Sequence, residues 1–250
     1  MKRLFASVFA VLFTIGPAQA GGFTQERFET WLDLRMGGGK GAVYWYSEGM
    51  LKQFPGGEDI AKMIGFDVSH VLQDEADPTK ATHLSRKIFI FLDPETGEMM
   101  DRPPIEYEYQ LKTYDLEGDE LVYTVESRAG DRISHVPPVR NYSVKQIDDV
   151  LWFNYSVFID RGTGKFENSD FYLIPGDDLS EQERYQHSWV SYGVGPIMSQ
   201  AVAWRYSSFD DLPDVIQSYV REQAPLWMAP PMDLAEVDRL RNEVQTAQAK

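Results

Sequence analysis

Three runs of alternating apolar and polar residues, joined by compact turn sequences between Leu84 and Glu126, constrain this chain more than any other feature. Successive side chains of a strand point to opposite faces of the pleat, so Leu84, Arg86, Ile88, Ile90 and Leu92 share one face of the first run. Asp93-Pro94-Glu95-Thr96-Gly97-Glu98 then reverses the chain, with Pro fixing φ and Gly supplying a positive φ. The second run places Ile105, Tyr107, Tyr109 and Leu111 on one face and Glu106, Glu108, Gln110 and Lys112 on the other. After Asp115-Leu116-Glu117-Gly118-Asp119 the third run sets Leu121, Tyr123 and Val125 against Val122, Thr124 and Glu126. This is the pattern of a β-meander.

The flanking sequence extends the same theme. Thr24 is placed to cap a helix, Phe23 and Phe28 to staple it, and Phe28, Trp31, Leu32 and Arg35 recur at helical spacing. Met36-Gly37-Gly38-Gly39-Lys40-Gly41 follows that helix and precedes the strand-like Ala42 to Tyr46. A phosphate-cradling loop needs the reverse order and a Ser or Thr after the Lys, so this is a connector. The strand is expected to break or bulge at Ser47-Glu48-Gly49 and resume from Met50 to Phe54, and Glu58 to Ile64 reads as a short helical turn ended by Gly65. Phe66, Val68, His70 and Leu72 share a strand face, and Asp74 to Thr82 is a polar loop. Pro137-Pro138 breaks the chain before a strand from Val150 to Ile159. Asp160 to Lys165 forms a hairpin turn into Phe171 to Ile174, Ser180-Glu181-Gln182-Glu183 opens a connector, and His187 to Tyr192 and Ile197 to Tyr206 make a further strand pair. Two helices close the chain from about residue 211: Asp211 caps one with Pro213 in its first turn, and Asp233 with Glu236 makes a capping box for the other.

Many short strands with turn signals between them predict a mostly β fold of roughly eight to ten strands. The expected form is an antiparallel β-barrel or strongly curved sheet, calycin-like at a coarse level, with flanking N- and C-terminal helices. A two-sheet β-sandwich is the alternative.

Lys2 and Arg3, the apolar stretch Leu4 to Ile15, and Pro17-Ala18-Gln19-Ala20 have the three parts of a secretory signal peptide, 1–20. The apolar part is shorter than the roughly 20 residues a membrane span needs, and no later stretch is long and apolar enough. The reading is export to a periplasm or beyond, cleavage near Ala20, and a single β-rich domain over 21–250. The chain has no Cys, so no disulfide holds the fold and its packed core must do so. The formal net charge of −15, made more negative by loss of Lys2 and Arg3, repels phosphate backbones and argues against a nucleic-acid partner.

Several segments resemble a known family. Gly49-Met50-Leu51, Pro55-Gly56-Gly57, Ile64-Gly65-Phe66, Ser85-Arg86-Lys87 and Asp93-Pro94-Glu95-Thr96-Gly97-Glu98 together look like the bacterial and fungal family called domain of unknown function eighteen-thirty-eight. Ala224-Pro225-Leu226-Trp227-Met228 is similar to that family's closing Trp-rich and Pro-rich segment. The chain departs after the turn, where Arg102-Pro103-Pro104 stands in place of a Trp-Asn-Pro. The resemblance implies a single secreted domain and supplies no activity.

Motifs for familiar catalysis are missing. There is no Gly-x-Ser-x-Gly elbow, no Ser-x-x-Lys and no Cys. His70, His83, His135 and His187 stand singly without metal-ligand spacing, so no metal and no cofactor is expected. Asp115, Glu117, Asp119 and Glu126 imitate a calcium loop in outline, but Glu120 stands where such a loop needs Gly. What remains is a set of polar and aromatic residues on strand faces: His70, Arg86, Tyr107, Tyr109, Tyr123, Asn154, His187 and Trp189. A buried charge needs a partner, so Arg86 calls for a carboxylate, a carbonyl cluster or a ligand. The leading expectation is a binding protein for a small, partly apolar, anionic or carbonyl-bearing molecule in a β-barrel cavity, with Arg86 or His70 as anchor. The alternatives are a cofactor-independent lyase, isomerase or hydrolase with His70 or His187 as base and a Tyr as acid, and an envelope interaction protein without a cavity.

Overall fold

The computed structural model describes residues 19–139, 142–147, 150–160, 165–175, 186–192 and 196–248. Its strands are β1 (Gln19–Gly21), β2 (Val43–Gln53), β3 (Asp59–Gln73), β4 (Lys80–Leu92), β5 (Ile105–Glu117) and β6 (Glu120–Ala129), then β7 (Arg132–Val139), β8 (Tyr142–Ile147), β9 (Val150–Asp160), β10 (Lys165–Pro175), β11 (Gln186–Tyr192) and β12 (Ile197–Tyr206). The helices are α1 (Gln25–Met36), α2 (Asp214–Gln223) and α3 (Leu234–Gln248). All twelve strands belong to one antiparallel sheet in the order β1-β8-β9-β10-β11-β12-β2-β3-β4-β5-β6-β7, curled into a half-barrel. Two meanders build it. One runs outward from β2 to β7, and the other runs inward from β8 to β12, where β12 pairs with β2. No ladder joins the edges β7 and β1 among the described residues.

The meander read between Leu84 and Glu126 is present as β4, β5 and β6. Its first turn closes as its residues require: Asp93 Oδ1 accepts from the Glu95 and Thr96 amides at 2.9 and 2.8 Å, and Gly97 sits at φ 74°. It is one curled sheet, the first of the two forms expected, and not two packed sheets. The sheet differs from expectation in several places. The residues read as a helical turn, Glu58 to Ile64, fall almost wholly within β3, because Ala61, Met63 and Ile64 find buried places on the sheet and tertiary packing overrides the local signal. β2 runs unbroken through Ser47-Glu48-Gly49, and its irregularity lies at Leu51/Lys52. Gly49 is there for closeness: a Cβ on it would lie 2.2 Å from the Gln200 carbonyl oxygen. Pro137 and Pro138 lie within β7. That strand is an edge, and its register slips between Tyr123 and Val125 of β6, so the missing N–H groups disrupt no interior ladder.

At the N-terminus Thr24 caps α1, its side chain accepting from the Arg27 amide, and Gly37 ends the helix at φ 80°. Near the C-terminus the expected cap moves. Asp211 belongs to a short 3₁₀ turn capped by Ser208, and Pro213 holds the N-cap position of α2. Asp233 does cap α3 by accepting from the Glu236 amide at 2.8 Å, while Glu236 reaches back to the Met232 amide. Residues 1–18 of the expected signal peptide, most of the expected Asp160–Lys165 turn and the expected Ser180–Glu183 connector lie outside the described residues.

The two faces of the sheet are covered differently. α1 lies on the inner face, where Phe23, Phe28, Trp31, Leu32, Leu34 and Met36 pack with Val43, Trp45, Val71, Ala81, Tyr114 and Tyr123. The outer face of β2, β3 and β4 is buried under the C-terminal segment. Phe209, Leu212, Ile216, Val220 and Trp227 cover Tyr46, Ile64, Phe66, Val68, Ile88 and Ile90, and Val237 and Leu240 of α3 cover Leu84 and Tyr109. The face whose apolar alternation suggested a barrel interior is therefore the outer one. The inner face of the same strands carries His83, Ser85 and Lys87 of β4 and Gln110 and Lys112 of β5.

Candidate functional site

The inner face encloses a cavity of about 370 Å³, at the small end of ligand sites. Its lining comes from β6 and β7 on one side and β10 and β11 on the other, which requires the sheet to curl around it. The floor is organised in rows that cross the strands. One row reads Trp45, Asp67, Lys87, Tyr107; the next reads Ser69, Ser85, Gln110, Ser127, Ser134; a third reads Val71, His83, Lys112, Val125, Val136. On the far side Tyr172 stands opposite His187, and Asp170 opposite Trp189.

Tyr107 reaches this face through an irregularity. β4 advances two residues from Ser85 to Lys87 while β5 advances three from Gln110 to Tyr107, so the alternation is interrupted at Glu108 and Tyr109. Tyr109 stays on the outer face, whereas Tyr107 joins Gln110 and Lys112 in the cavity instead of sharing a face with Tyr109 as its spacing suggested. Trp227 holds the irregularity from behind, its indole N–H donating to both the Lys87 and Tyr107 carbonyls at 3.1 Å.

Charge sets the character of the site. Arg35, projecting from the last turn of α1, donates to Asp67 Oδ2 at 2.8 Å and to Ser69 Oγ at 3.0 Å. Lys87 Nζ lies 2.8 Å from the same Asp67 oxygen, and the Ser69 hydroxyl donates to the other. Burial alone would raise the Asp67 carboxyl, but Arg35 and Lys87 hold it well below the usual range. Asp170 accepts from Asn168 Nδ2 at 2.7 Å and faces His187 Nε2 at 3.5 Å. Burial lowers His187 despite that carboxylate, leaving a neutral imidazole stacked on Tyr172 with ring centroids 4.6 Å apart.

Lys112 has no such partner. It is 7% exposed and makes no ion pair or hydrogen bond among the described residues. Burial, then the charges of Lys87 and Arg35, push its ammonium down to about 7. Counting the lining groups as charged, Arg35, Lys87, Lys112 and Arg132 stand against Asp67 and Asp170, four cations to two anions. The cavity is net positive inside a chain of net charge −15. Some buried polar atoms lack a hydrogen-bond partner among the described residues: Gln110 Oε1 and His187 Nδ1 belong to lining residues, and His83 Nε2 and Ser85 Oγ to the residues opposite Lys112 and Gln110 on β4. Trp45, Phe89, Val125, Val136 and Trp189 supply apolar wall.

Of the residues singled out from sequence, the structure brings Tyr107, His187 and Trp189 together in the cavity. Tyr123 is on the inner face but packs in the apolar cluster around α1. His70 and Arg86 face outward. Arg86 donates to Glu236 Oε1 at 2.5 Å and to the Ala229 carbonyl at 2.6 Å, so its partners are the C-terminal segment. Tyr109 donates to Glu126 Oε1 at 2.6 Å on that same outer face. Asn154 lies on β9, where it pairs with Phe171, and its side chain is outside the described residues. Sequence reasoning passed over Arg35, Asp67, Lys87, Gln110, Lys112 and Asp170. Arg35 carried a signal, a cation in the apolar stripe of α1, as did Gln110 and Lys112 opposite an apolar strand face.

No group of three or more His, Cys, Asp or Glu side chains able to hold a metal ion occurs among the described residues. No family model matches the chain and no curated protein matches it, so the resemblance noted above rests on its motifs alone.

Proposed function

We propose that the inner cavity binds a small, partly apolar organic anion, with Lys112 as its polar anchor. The observation that carries this reading is a buried ammonium that faces the cavity and has no carboxylate partner among the described residues. Leaving such a charge unpaired costs several kcal/mol, and a bound anion offsets that cost on binding. Arg35 and Lys87 are already matched to Asp67, so they shape the field and leave Lys112 for the ligand. Trp45, Phe89 and Trp189 suit an aromatic or aliphatic body. An open, polar-anchored cavity favours binding over an interaction protein without one.

The test uses 8-anilinonaphthalene-1-sulfonate, an aromatic anion, with the folded protein. Saturable one-to-one fluorescence enhancement that carboxylates displace, and that Lys112→Met weakens at least tenfold, is the expected result. Absence of saturable binding, or equal binding by the variant, overturns the reading.

A second reading is favoured by one observation. His187 presents Nε2 to Asp170 and leaves Nδ1 buried without a partner among the described residues, an arrangement suited to a general base. A cofactor-independent lyase or isomerase in the same cavity would lose turnover and keep anion binding in His187→Gln. Export with cleavage after Ala20 completes the proposal. The β1 ladder with β8 spans that bond, so the processed chain would present β8 as its edge. N-terminal sequencing that begins at Gly21 is the expected result, and one that begins at Met1 refutes it.

A further inference from the structure

We propose that Lys112 is a nucleophile that captures an oxo acid, a carbonyl compound bearing a carboxylate, as an imine. The inference rests on the cavity being a small-molecule site, and it goes further by assigning a covalent step and a ligand class.

Three features of the site support it. The first is the isolation of the amine. Lys112 lies on the floor, opposite His83 on β4 and Val125 on β6, with neither neighbour able to supply a counter-charge. Of the two lysines lining the cavity, Lys87 is held by Asp67 at 2.8 Å, and only Lys112 is without an acid partner among the described residues. An ammonium in apolar surroundings beside other cations sheds its proton readily, and the neutral amine is the nucleophile. The shift of Lys112 to about 7 is consistent with that environment.

The second feature is the set of buried polar atoms near the amine that have no hydrogen-bond partner among the described residues. His83 Nε2 belongs to a fully buried imidazole directly across the ladder, a separation of about 5 Å between Cβ atoms. Burial, with Arg35 and Lys112 nearby, holds that ring neutral, so it can take or return a proton. Ser85 Oγ and Gln110 Oε1 lie one row away and are likewise unpartnered. In the apolar core such orphan groups are a cost. Beside a reacting carbonyl they have work: a hydroxyl donates to the carbinolamine oxygen and an imidazole moves the proton.

The third feature is a further cation. Arg132 lines the cavity from β7, is exposed, and makes no ion pair among the described residues. It is four residues from Val136, which lies in the row of Lys112, so its backbone is about 13 Å along the sheet from that row. Extended toward each other, the two long side chains close most of this span, so the carbonyl of a 2-oxo acid meets Lys112 while the carboxylate bonded to it meets Arg132. Trp45, Phe89 and Trp189 contribute the apolar wall of the same cavity.

The step balances without a further reactant. The Lys112 nitrogen attacks the carbonyl carbon, the C–N bond forms, and the carbonyl oxygen takes a proton to give a carbinolamine. A second proton lets that oxygen leave as water while the C=N bond forms. One carbonyl and one amine become one imine and one water, and an added proton on nitrogen gives the iminium.

Phenylpyruvate, an aromatic 2-oxo acid, is the probe, with sodium cyanoborohydride to reduce any imine. Intact mass is expected to show one adduct per chain, mapped to the peptide containing Lys112. 4-Phenyl-2-butanone, which lacks the carboxylate, should label at least tenfold more slowly. Lys112→Arg forms no reducible imine, so it should lose the adduct while its circular dichroism and thermal melt show the parent fold. If phenylpyruvate displaces the fluorophore from the parent protein and no adduct forms, or the adduct maps to another residue, the covalent step is wrong and the binding site stands. If neither compound binds, the binding site itself is refuted, and the covalent step falls with it.

Discussion

Replacing Lys112 with Met should stabilise the protein, and by an amount that depends on pH. Met keeps much of the stem's packing and removes the ammonium. The groups acting on that ammonium are Lys87 and His83 from β4, Arg35 from α1, Asp67 from β3 and Asp170 from β10. Their net effect with burial places Lys112 at about 7 in the folded state against 10.5 in the unfolded state. Between these values the unfolded chain binds more protons than the native one, so stability contributed at this site rises with pH. Below pH 7 both states carry the proton and the native state bears the full cost. Above about 10.5 neither does. At about 1.4 kcal/mol per unit, the separation corresponds to on the order of 4–5 kcal/mol. Urea midpoints of parent and Lys112→Met should therefore differ most near pH 6, with the variant more stable, and converge as pH rises towards 10. Other titrations are common to both chains and largely cancel in the difference. A stability difference that is independent of pH, or a variant less stable than the parent at pH 6, would refute the picture of a desolvated, unpaired ammonium.

Asp67→Asn removes the carboxylate shared by Arg35 and Lys87, and stranding the buried Arg35 should cost about 3–5 kcal/mol in a urea melt. Because the folded carboxyl is held well below 3.8, its contribution is complete above that pH and is lost as pH falls towards the folded value, so the gap between parent and variant should narrow only in that acid range. Arg86→Met should cost about 2–3 kcal/mol, less than a fully buried pair because the Glu236 side chain is 27% exposed, and should leave anion binding unchanged by fluorescence titration. Gly65→Ala would set a Cβ 2.3 Å from Ser47 Oγ and 2.9 Å from Phe89 Cε1; a loss of about 1–3 kcal/mol and weaker anion binding should follow as Phe89 shifts in the cavity. Trp227→Phe removes the donor that joins the Lys87 and Tyr107 carbonyls, and thermal melts should show a loss of about 1–2 kcal/mol.

The strands were legible where a single face had to be apolar. From Leu121 to Glu126 the alternation matches the structure residue by residue, because each outward or inward position is fixed by what covers it. It failed at Tyr107, where one extra residue in β5 reverses the face and nothing local marks the insertion. The donor that pins it, Trp227, is 120 positions away. The site was misjudged for a different reason. Arg86 among Leu84, Ile88 and Ile90 had the look of a charge inside a barrel, and that inference was sound about burial and silent about partner. Whether an apolar strand face looks into a lumen or under a helix is decided by where the C-terminal segment folds back. The same fact hid the cavity. Lys87, Gln110 and Lys112 did not mark it, because polar residues alternate with apolar ones whether the polar face meets water or lines a cavity.

A cavity of net positive charge within an acidic chain also sets how an anion is admitted. The exterior carboxylates repel it, but in 0.15 M salt their influence falls off over about 8 Å, and charges farther than that from an approaching ion are largely screened. Inside the curled sheet, water and counter-ions are displaced and the attraction of Lys112 is screened far less. Long-range steering is therefore weak and local recognition strong. Under the proposed binding, such a site would repel anions at the surface and retain those whose apolar body brings the charge into the cavity. Raising salt should thus weaken retention at the floor far less than it weakens contacts at the rim, because the two lie in different dielectric surroundings on one continuous sheet face.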